Sequence, residues 1–274
     1  MGIVTAIIVM VLGGILLGVL IGIAVRIFKV ETDPRVEAVA DLLPGANCGG
    51  CGLAGCADFA AKVVAGSVNP AQCVGAPQET RLAIARVLGV QLKKDDPQVA
   101  VVLCSGTNSS SGQSSNYNGV ADCISAALVA GGPKDCVYGC LGLSSCARIC
   151  PFGAISVIDG LAVVDPAKCV GCGQCVKVCP RHLIKLVPAR RKVDIYCSSP
   201  EKAPEKRKVC SVSCIGCRKC VKTFPDYFDV DGFRVLCRYQ GDVLPDNAVE
   251  LIGCPTGCLQ MRNDHKNIVA GKEV

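Results

Sequence analysis

The chain has 274 residues, of which 22 are cysteine and only two histidine, with no tryptophan, so thiol chemistry rather than an aromatic core organises it. The N-terminus lacks a basic lead and a small-residue cleavage site, which argues against a cleaved signal and hence against a secreted disulfide scaffold. The net charge of +6 is modest, and no basic run is interleaved with aromatics, so a nucleic-acid partner is not expected.

No charged side chain occurs from Met1 to Val25. As a helix this stretch reaches about 37 Å, enough to cross a hydrocarbon core of about 30 Å. Residues 1–29 are therefore expected to form a transmembrane anchor. Arg26, Lys29 and Arg35 follow it, so the positive-inside bias predicts a single-pass protein of the cell inner (cytoplasmic) membrane with its soluble part on the cytoplasmic side. Gly14, Gly18 and Gly22 share one face and would let another membrane helix approach.

Residues 30–96 mix helical apolar spacing with a Pro-Gly break, and contain "NCGGCGLAGC". Cys48, Cys51 and Cys56 on this glycine-rich loop, with Cys73 downstream, suit one 4Fe-4S cube. A tetrahedral zinc site is the alternative. The formal dinucleotide pattern Gly50 to Gly55 is discarded, because no strand precedes it.

Beyond Asp96, "VAVVLCSG" reads as a buried strand and "SGTNSSSGQSSNYNG" as a flexible surface loop. The Asp-Gly pairs Asp159-Gly160 and Asp231-Gly232 read as hairpin turns. In "CVGCGQCVKVCP", Cys169, Cys172, Cys175 and Cys179-Pro180 have the two-cluster spacing, in which the cysteine before proline closes the other cube. In "CVYGCLGLSSCARICP", Leu143 takes the middle place, and Cys136 is expected to supply the missing thiolate. Crossed ligation gives one cube on Cys136, Cys140, Cys146 and Cys179, and another on Cys169, Cys172, Cys175 and Cys150.

In "CSVSCIGCRKCVKTFP", Phe224 replaces the cysteine before proline, and of the three partner cysteines needed near 237 only Cys237 remains. One cube is expected there, on Cys214, Cys217, Cys220 and Cys254. Four 4Fe-4S clusters use 16 cysteines. Cys104, Cys123, Cys197, Cys237 and Cys258 read as buried inert thiols, and Cys210, spaced from Cys214 as Cys136 is from Cys140, is an alternative ligand. The expected class is α+β, with the N-terminal transmembrane helix, a small helical 4Fe-4S domain (30–96) and two ferredoxin-like domains (97–188 and 189–274), the second with one cluster lost.

Residues 181–222 carry 12 Lys/Arg against three Asp/Glu. Arg190, Arg191, Lys192, Lys206, Arg207 and Lys208 are candidates for a face that docks an acidic partner; a solvated linker face is the alternative. No acid-base or nucleotide constellation suggests a substrate-transforming site within the chain itself.

The anchor, "CGGCGLAGC", "GGPKDCVYGCLGLSSCARICPFGAI" and "CVGCGQCVKVCP" together resemble the B subunit of the Rnf-type ion-translocating electron transport complex. The resemblance spans nearly the whole chain. It implies a subunit that takes electrons from reduced ferredoxin or flavodoxin and relays them to the other Rnf complex subunits in the membrane. As a whole, such a complex is a ferredoxin:NAD oxidoreductase that transports Na⁺ or H⁺. The serine-rich stretch around 108–116 and the lost C-terminal cluster depart from the family pattern. An iron-sulfur subunit of another membrane oxidoreductase, or a zinc-rich membrane-anchored interaction protein, are the competing readings.

Overall fold

The computed structural model describes residues 2–27, 33–92, 96–241 and 243–269; Lys29 of the expected basic flank lies outside them. Helix α1 (Gly2–Ile27) is apolar and exposed along its length. Its Gly2–Ala24 stretch is long and apolar enough to cross a membrane.

The next domain packs three helices. Pro34 starts α2 (Pro34–Leu42), where its missing N–H costs nothing, and the Asp33 carboxylate accepts from the Arg35 N–H as a cap. α3 (Cys56–Val64) and α4 (Gln78–Leu88) complete the bundle, and α4 ends on Gly89 in the left-handed conformation. Val39, Leu43, Phe59, Val63 and Ile84 form its core.

The remainder repeats one topology twice. In the first unit β1 (Gln98–Val102) pairs antiparallel with β4 (Ile184–Pro188), while β2 (Ile155–Ile158) and β3 (Leu161–Val164) form a hairpin. Helices α5 (Cys123–Leu128), α6 (Ser145–Arg148) and α7 (Gln174–Val178) lie between them. In the second unit β5 (Val193–Ile195) pairs with β8 (Leu259–Met261), and β6 (Phe228–Asp231) with β7 (Arg234–Cys237). Its helices are α8 (Ala203–Val209), α9 (Lys219–Thr223) and α10 (Ala248–Ile252), and α11 (Arg262–Val269) follows β8. Short strands that bury only a few residues need a second framework, which ligated cysteines can supply.

The two hairpins differ in their turns. Asp159 and Gly160 both have positive φ between β2 and β3, as a two-residue primed turn requires. Asp231, expected in the second turn, instead pairs with Arg234 as a strand residue, and the turn falls on Gly232-Phe233. A single glycine with positive φ in first position suffices there.

The serine-rich segment is also not a free surface loop along its whole length. Ser105, Thr107 and Ser111 are buried, and Ser111 forms an isolated bridge with Cys210 across the two units. The hydroxyls turn inward because the backbone groups of this segment find partners there: Asn108 N–H donates to Asp159 O at 2.7 Å and Gly112 N–H to Val209 O at 3.0 Å.

Candidate metal centres

Three loops share one backbone device. Between Cys140 and Cys146 the left-handed residues are Gly142 and Ser144; between Cys169 and Cys175 they are Gly171 and Gly173; between Cys214 and Cys220 they are Gly216 and Arg218. Alternating right- and left-handed residues turn successive N–H groups to one side, forming a concave cradle for an anionic centre. Each loop then enters a short helix, α6, α7 or α9, that carries the loop's last cysteine.

Cys150, Cys169, Cys172 and Cys175 surround one cavity of about 320 Å³. Ala100 N–H donates to Cys169 Sγ at 3.3 Å and Ala154 N–H to Cys150 Sγ at 3.4 Å, contacts that favour thiolate. Burial pushes the Cys175 thiol up to about 12, with Cys169, Cys172 and Cys150 adding to it. In the N-terminal domain burial raises Cys73, with Cys51, Cys56 and Cys48 adding to it, and Cys51 and Cys56 pack against the same core as Cys73.

The second centre of the first unit differs from the expected set. Cys140, Cys146 and Cys179 line a cavity of about 370 Å³, and the fourth thiol there is Cys123. Cys136 lines a different cavity. Cys123 opens α5, and its N–H donates to Ser145 Oγ at 2.8 Å, which ties α5 to α6 beside the place that Leu143 leaves without a thiol. Spacing along the chain pointed to Cys136, but a turn closed by Gly139 N–H on Cys136 O carries that residue to the other side of the loop. Burial pushes Cys146 up to about 12, followed by the charges of Cys140, Cys123 and Cys179.

In the second unit Cys214, Cys217, Cys220, Cys254 and also Cys258 line a cavity of about 350 Å³. Cys258 Sγ lies 3.7 Å from Cys254 Sγ, and hydrogen bonding with Cys258 draws the Cys254 thiol down to about 4 and the Cys214 thiol down to about 6. Phe224 packs on the core of this unit, edge-on to Tyr227, whose ring is covered by the Arg191 guanidinium. Side chains thus occupy the space beside the position where the first unit has Cys150.

Among the described residues no three His, Cys, Asp or Glu side chains converge closely enough for a single metal ion. Tetrahedral zinc with bonds of about 2.3 Å would hold its sulfurs about 3.8 Å apart. Thiols spread around cavities fit a larger, polynuclear centre.

The N-terminal domain docks onto the first unit at a close approach. A Cβ on Gly50 would lie 2.7 Å from Val74 Cγ2 and 3.1 Å from Cys172 Cα, and the Gln174 side-chain amide donates to Cys48 O. Gly50→Ala should therefore destabilise this contact by about 1–3 kcal/mol through overpacking. A lowered thermal midpoint for the N-terminal domain checks this; an unchanged midpoint would show that the loop moves freely.

The expected docking residues divide. Lys206 and Arg191 are buried and unavailable to a partner: Lys206 Nζ donates to Cys214 O at 3.0 Å and Phe233 O at 2.8 Å, and Arg191 donates to Gln240 O. Arg190, Lys192, Arg207 and Lys208 remain exposed, three of them already in surface ion pairs with Asp96, Asp246 and Glu205.

Two family models match the chain: "Putative Fe-S cluster" over residues 43–74 and "4Fe-4S binding domain" over 162–185. Three similar proteins each carry the name of the B subunit of a complex. The B subunit of the Na(+)-translocating ferredoxin:NAD(+) oxidoreductase complex of Acetobacterium woodii is 40% identical over 73% of this chain and 60% of its own length. The B subunit of the proton-translocating ferredoxin:NAD(+) oxidoreductase complex of Clostridium ljungdahlii is 43% identical over 68% of this chain and 66% of its own. The B subunit of the ion-translocating oxidoreductase complex of Methanosarcina acetivorans is 38% identical over 69% and 72%. The chain thus spans somewhat under two thirds of the first two relatives.

Proposed function

From the premise that this chain belongs to the family of B subunits of ion-translocating oxidoreductase complexes, we propose that it is the membrane-anchored electron-transfer subunit of a ferredoxin:NAD oxidoreductase complex. The observation that carries this reading is the succession of thiol-lined cavities. The N-terminal set meets Cys172 of its neighbour through Gly50, and within the first unit Cys146 feels the charge of Cys175.

We assign 4Fe-4S clusters to Cys48, Cys51, Cys56 and Cys73; to Cys150, Cys169, Cys172 and Cys175; to Cys123, Cys140, Cys146 and Cys179; and to Cys214, Cys217, Cys220 and Cys254. A bound cube supplies a one-electron redox centre, its potential set by hydrogen bonds to sulfur and by exposure. The chain's own residues hold it by thiolate, cradle it with loop N–H groups and wall it with Val, Ile and Leu. Helix α1 anchors the chain in the inner membrane beside the other complex subunits, with the remaining domains on the cytoplasmic side.

Cys217 is exposed and is followed by exposed Arg218 and Lys219. This supports a basic surface at the edge of the last site as the face where an acidic soluble ferredoxin or flavodoxin docks, with Arg207 and Lys208 upstream in the same unit. Reversing Arg190, Lys192, Arg207 and Lys208 together should slow reduction of the chain by ferredoxin several-fold and flatten its salt dependence, read by stopped-flow kinetics. Unchanged rates would remove this docking face. The reading as a whole is tested by anaerobic purification from membranes with its partners: iron and acid-labile sulfide reducible by ferredoxin are expected, and a colourless zinc protein would overturn it.

A further inference from the structure

We propose that the chain builds a fifth 4Fe-4S site, at the junction of its two ferredoxin-like units, on Cys104, Cys136, Cys197 and Cys210. This goes beyond the four sites assigned above and rests on the chain being an iron-sulfur protein. All four thiols line one cavity of about 440 Å³, comparable to the cavities of about 370, 350 and 320 Å³ at the other thiol sets of the two units.

The site is made of two equivalent halves. Cys104 lies two residues beyond β1 and Cys197 two beyond β5. Cys136 precedes Cys140 by the same spacing that separates Cys210 from Cys214. The backbone donors correspond as well. Cys104 Sγ accepts from Gly106 N–H at 3.3 Å and Cys140 N–H at 3.4 Å, and the N–H groups of Ser199 and Cys214 favour the Cys197 thiolate against the burial that raises its thiol. Each unit thus contributes one thiol after its first strand and one before its first cysteine loop, and inert buried thiols need no such matching.

Charge and polarity point to an anionic occupant. Lys134 and Lys206 are both buried and both line the cavity. Lys134 Nζ donates to Gly106 O and Gly160 O, each at 2.8 Å, as Lys206 Nζ does to Cys214 O and Phe233 O. In each unit one of those carbonyls belongs to the second residue of the central hairpin turn. Among the described residues neither ammonium forms an ion pair. Two buried cations without counter-ions are costly. A doubly positive cube on four thiolates carries two negative charges and balances them.

The Ser213 hydroxyl, 4% exposed, also lines this cavity and has no hydrogen-bond partner among the described residues; a cluster sulfur would give it an acceptor. At Gly106 a Cβ would stand 3.6 Å from both Cys104 Sγ and Cys210 Sγ, so the backbone lies against both thiols, as wrapping an inorganic core requires.

The position has a consequence for the assembly. Cys104 is hydrogen-bonded to the backbone of Cys140, a ligand of one neighbouring site, and the backbone N–H of Cys214, a ligand of the other, favours the Cys197 thiolate. The fifth site fills the gap between the two units and makes the five centres a continuous series.

The test is iron, sulfide and zinc content of the full-length chain, anaerobically reconstituted in detergent, with EPR of the reduced protein. Wild type should hold about 20 iron atoms. Cys104→Ala and Cys197→Ala should each lose about four, a fifth of the total, and one EPR component, while the other components persist; Cys237→Ala should lose none. The wild-type count stands even if a variant fails to fold. About 16 iron atoms would overturn the fifth site and leave the four-site reading standing, and one zinc lost in both variants would replace the cube by a single ion. Four iron atoms or fewer would sink both readings.

Discussion

Adding Cys254→Ala to a Cys258→Ala background should remove about four iron atoms per chain and one EPR component, whereas Cys258→Ala alone should remove neither. Five thiols line this cavity and a cube takes four. The two candidates stand 3.7 Å apart, Sγ to Sγ, so Cys258 could substitute for a lost Cys254, and the background variant closes that route. Three arguments support Cys254 as the proposed ligand. It precedes Pro255 as Cys179 precedes Pro180. Cys258, just before β8, holds the place that the buried Leu183 holds just before β4. Hydrogen bonding with Cys258 also draws Cys254 toward thiolate. Adding Cys237→Ala in place of Cys254→Ala should change nothing, because Cys237 lines another cavity. Iron lost in Cys258→Ala, with Cys254 dispensable, would reverse the assignment.

Asp194→Ala should destabilise the second unit by about 3–5 kcal/mol, since it leaves a buried guanidinium without its counter-charge. Asp194 is fully buried on β5, and Arg262 Nε lies 2.8 Å from its Oδ2. Tyr239, in the segment after β7, donates to Asp194 Oδ1 at 2.9 Å, so three segments of the chain meet on one carboxylate. Here Arg262, the first residue of α11, is clamped back onto β5. The exposed Lys192–Asp246 pair is the control: Asp246→Ala should cost no more than about 1 kcal/mol. Denaturant unfolding followed at the second unit measures both, and a cost below about 1 kcal/mol for Asp194→Ala would show that water reaches Arg262.

The anchor helix, the family and the iron-sulfur class are legible in the residues alone, because each depends on local order. An uncharged run declares α1 wherever the chain goes next. A loop such as Cys169 to Cys175 carries its geometry in its own glycines, which let it curl around a centre before any tertiary contact forms. The Asp-Gly pair of the first hairpin is local in the same way, whereas the second hairpin slipped by one residue because either two-residue turn satisfies its glycine.

What only the tertiary structure decided is which thiols meet. Cys123 and Cys136 both lie upstream of Cys140, and spacing favoured the nearer one; the hydrogen bond from α5 to Ser145 selected the other. Lys206 and Arg191 look like surface charge in sequence, yet backbone carbonyls hold both inside, since a long aliphatic stem can bury wherever its head finds acceptors. Cys104 and Cys197 are separated by most of two strand pairs and become neighbours of one cavity only when the units pack. Motif spacing records contacts made within one loop, and a site shared between two units leaves no such record.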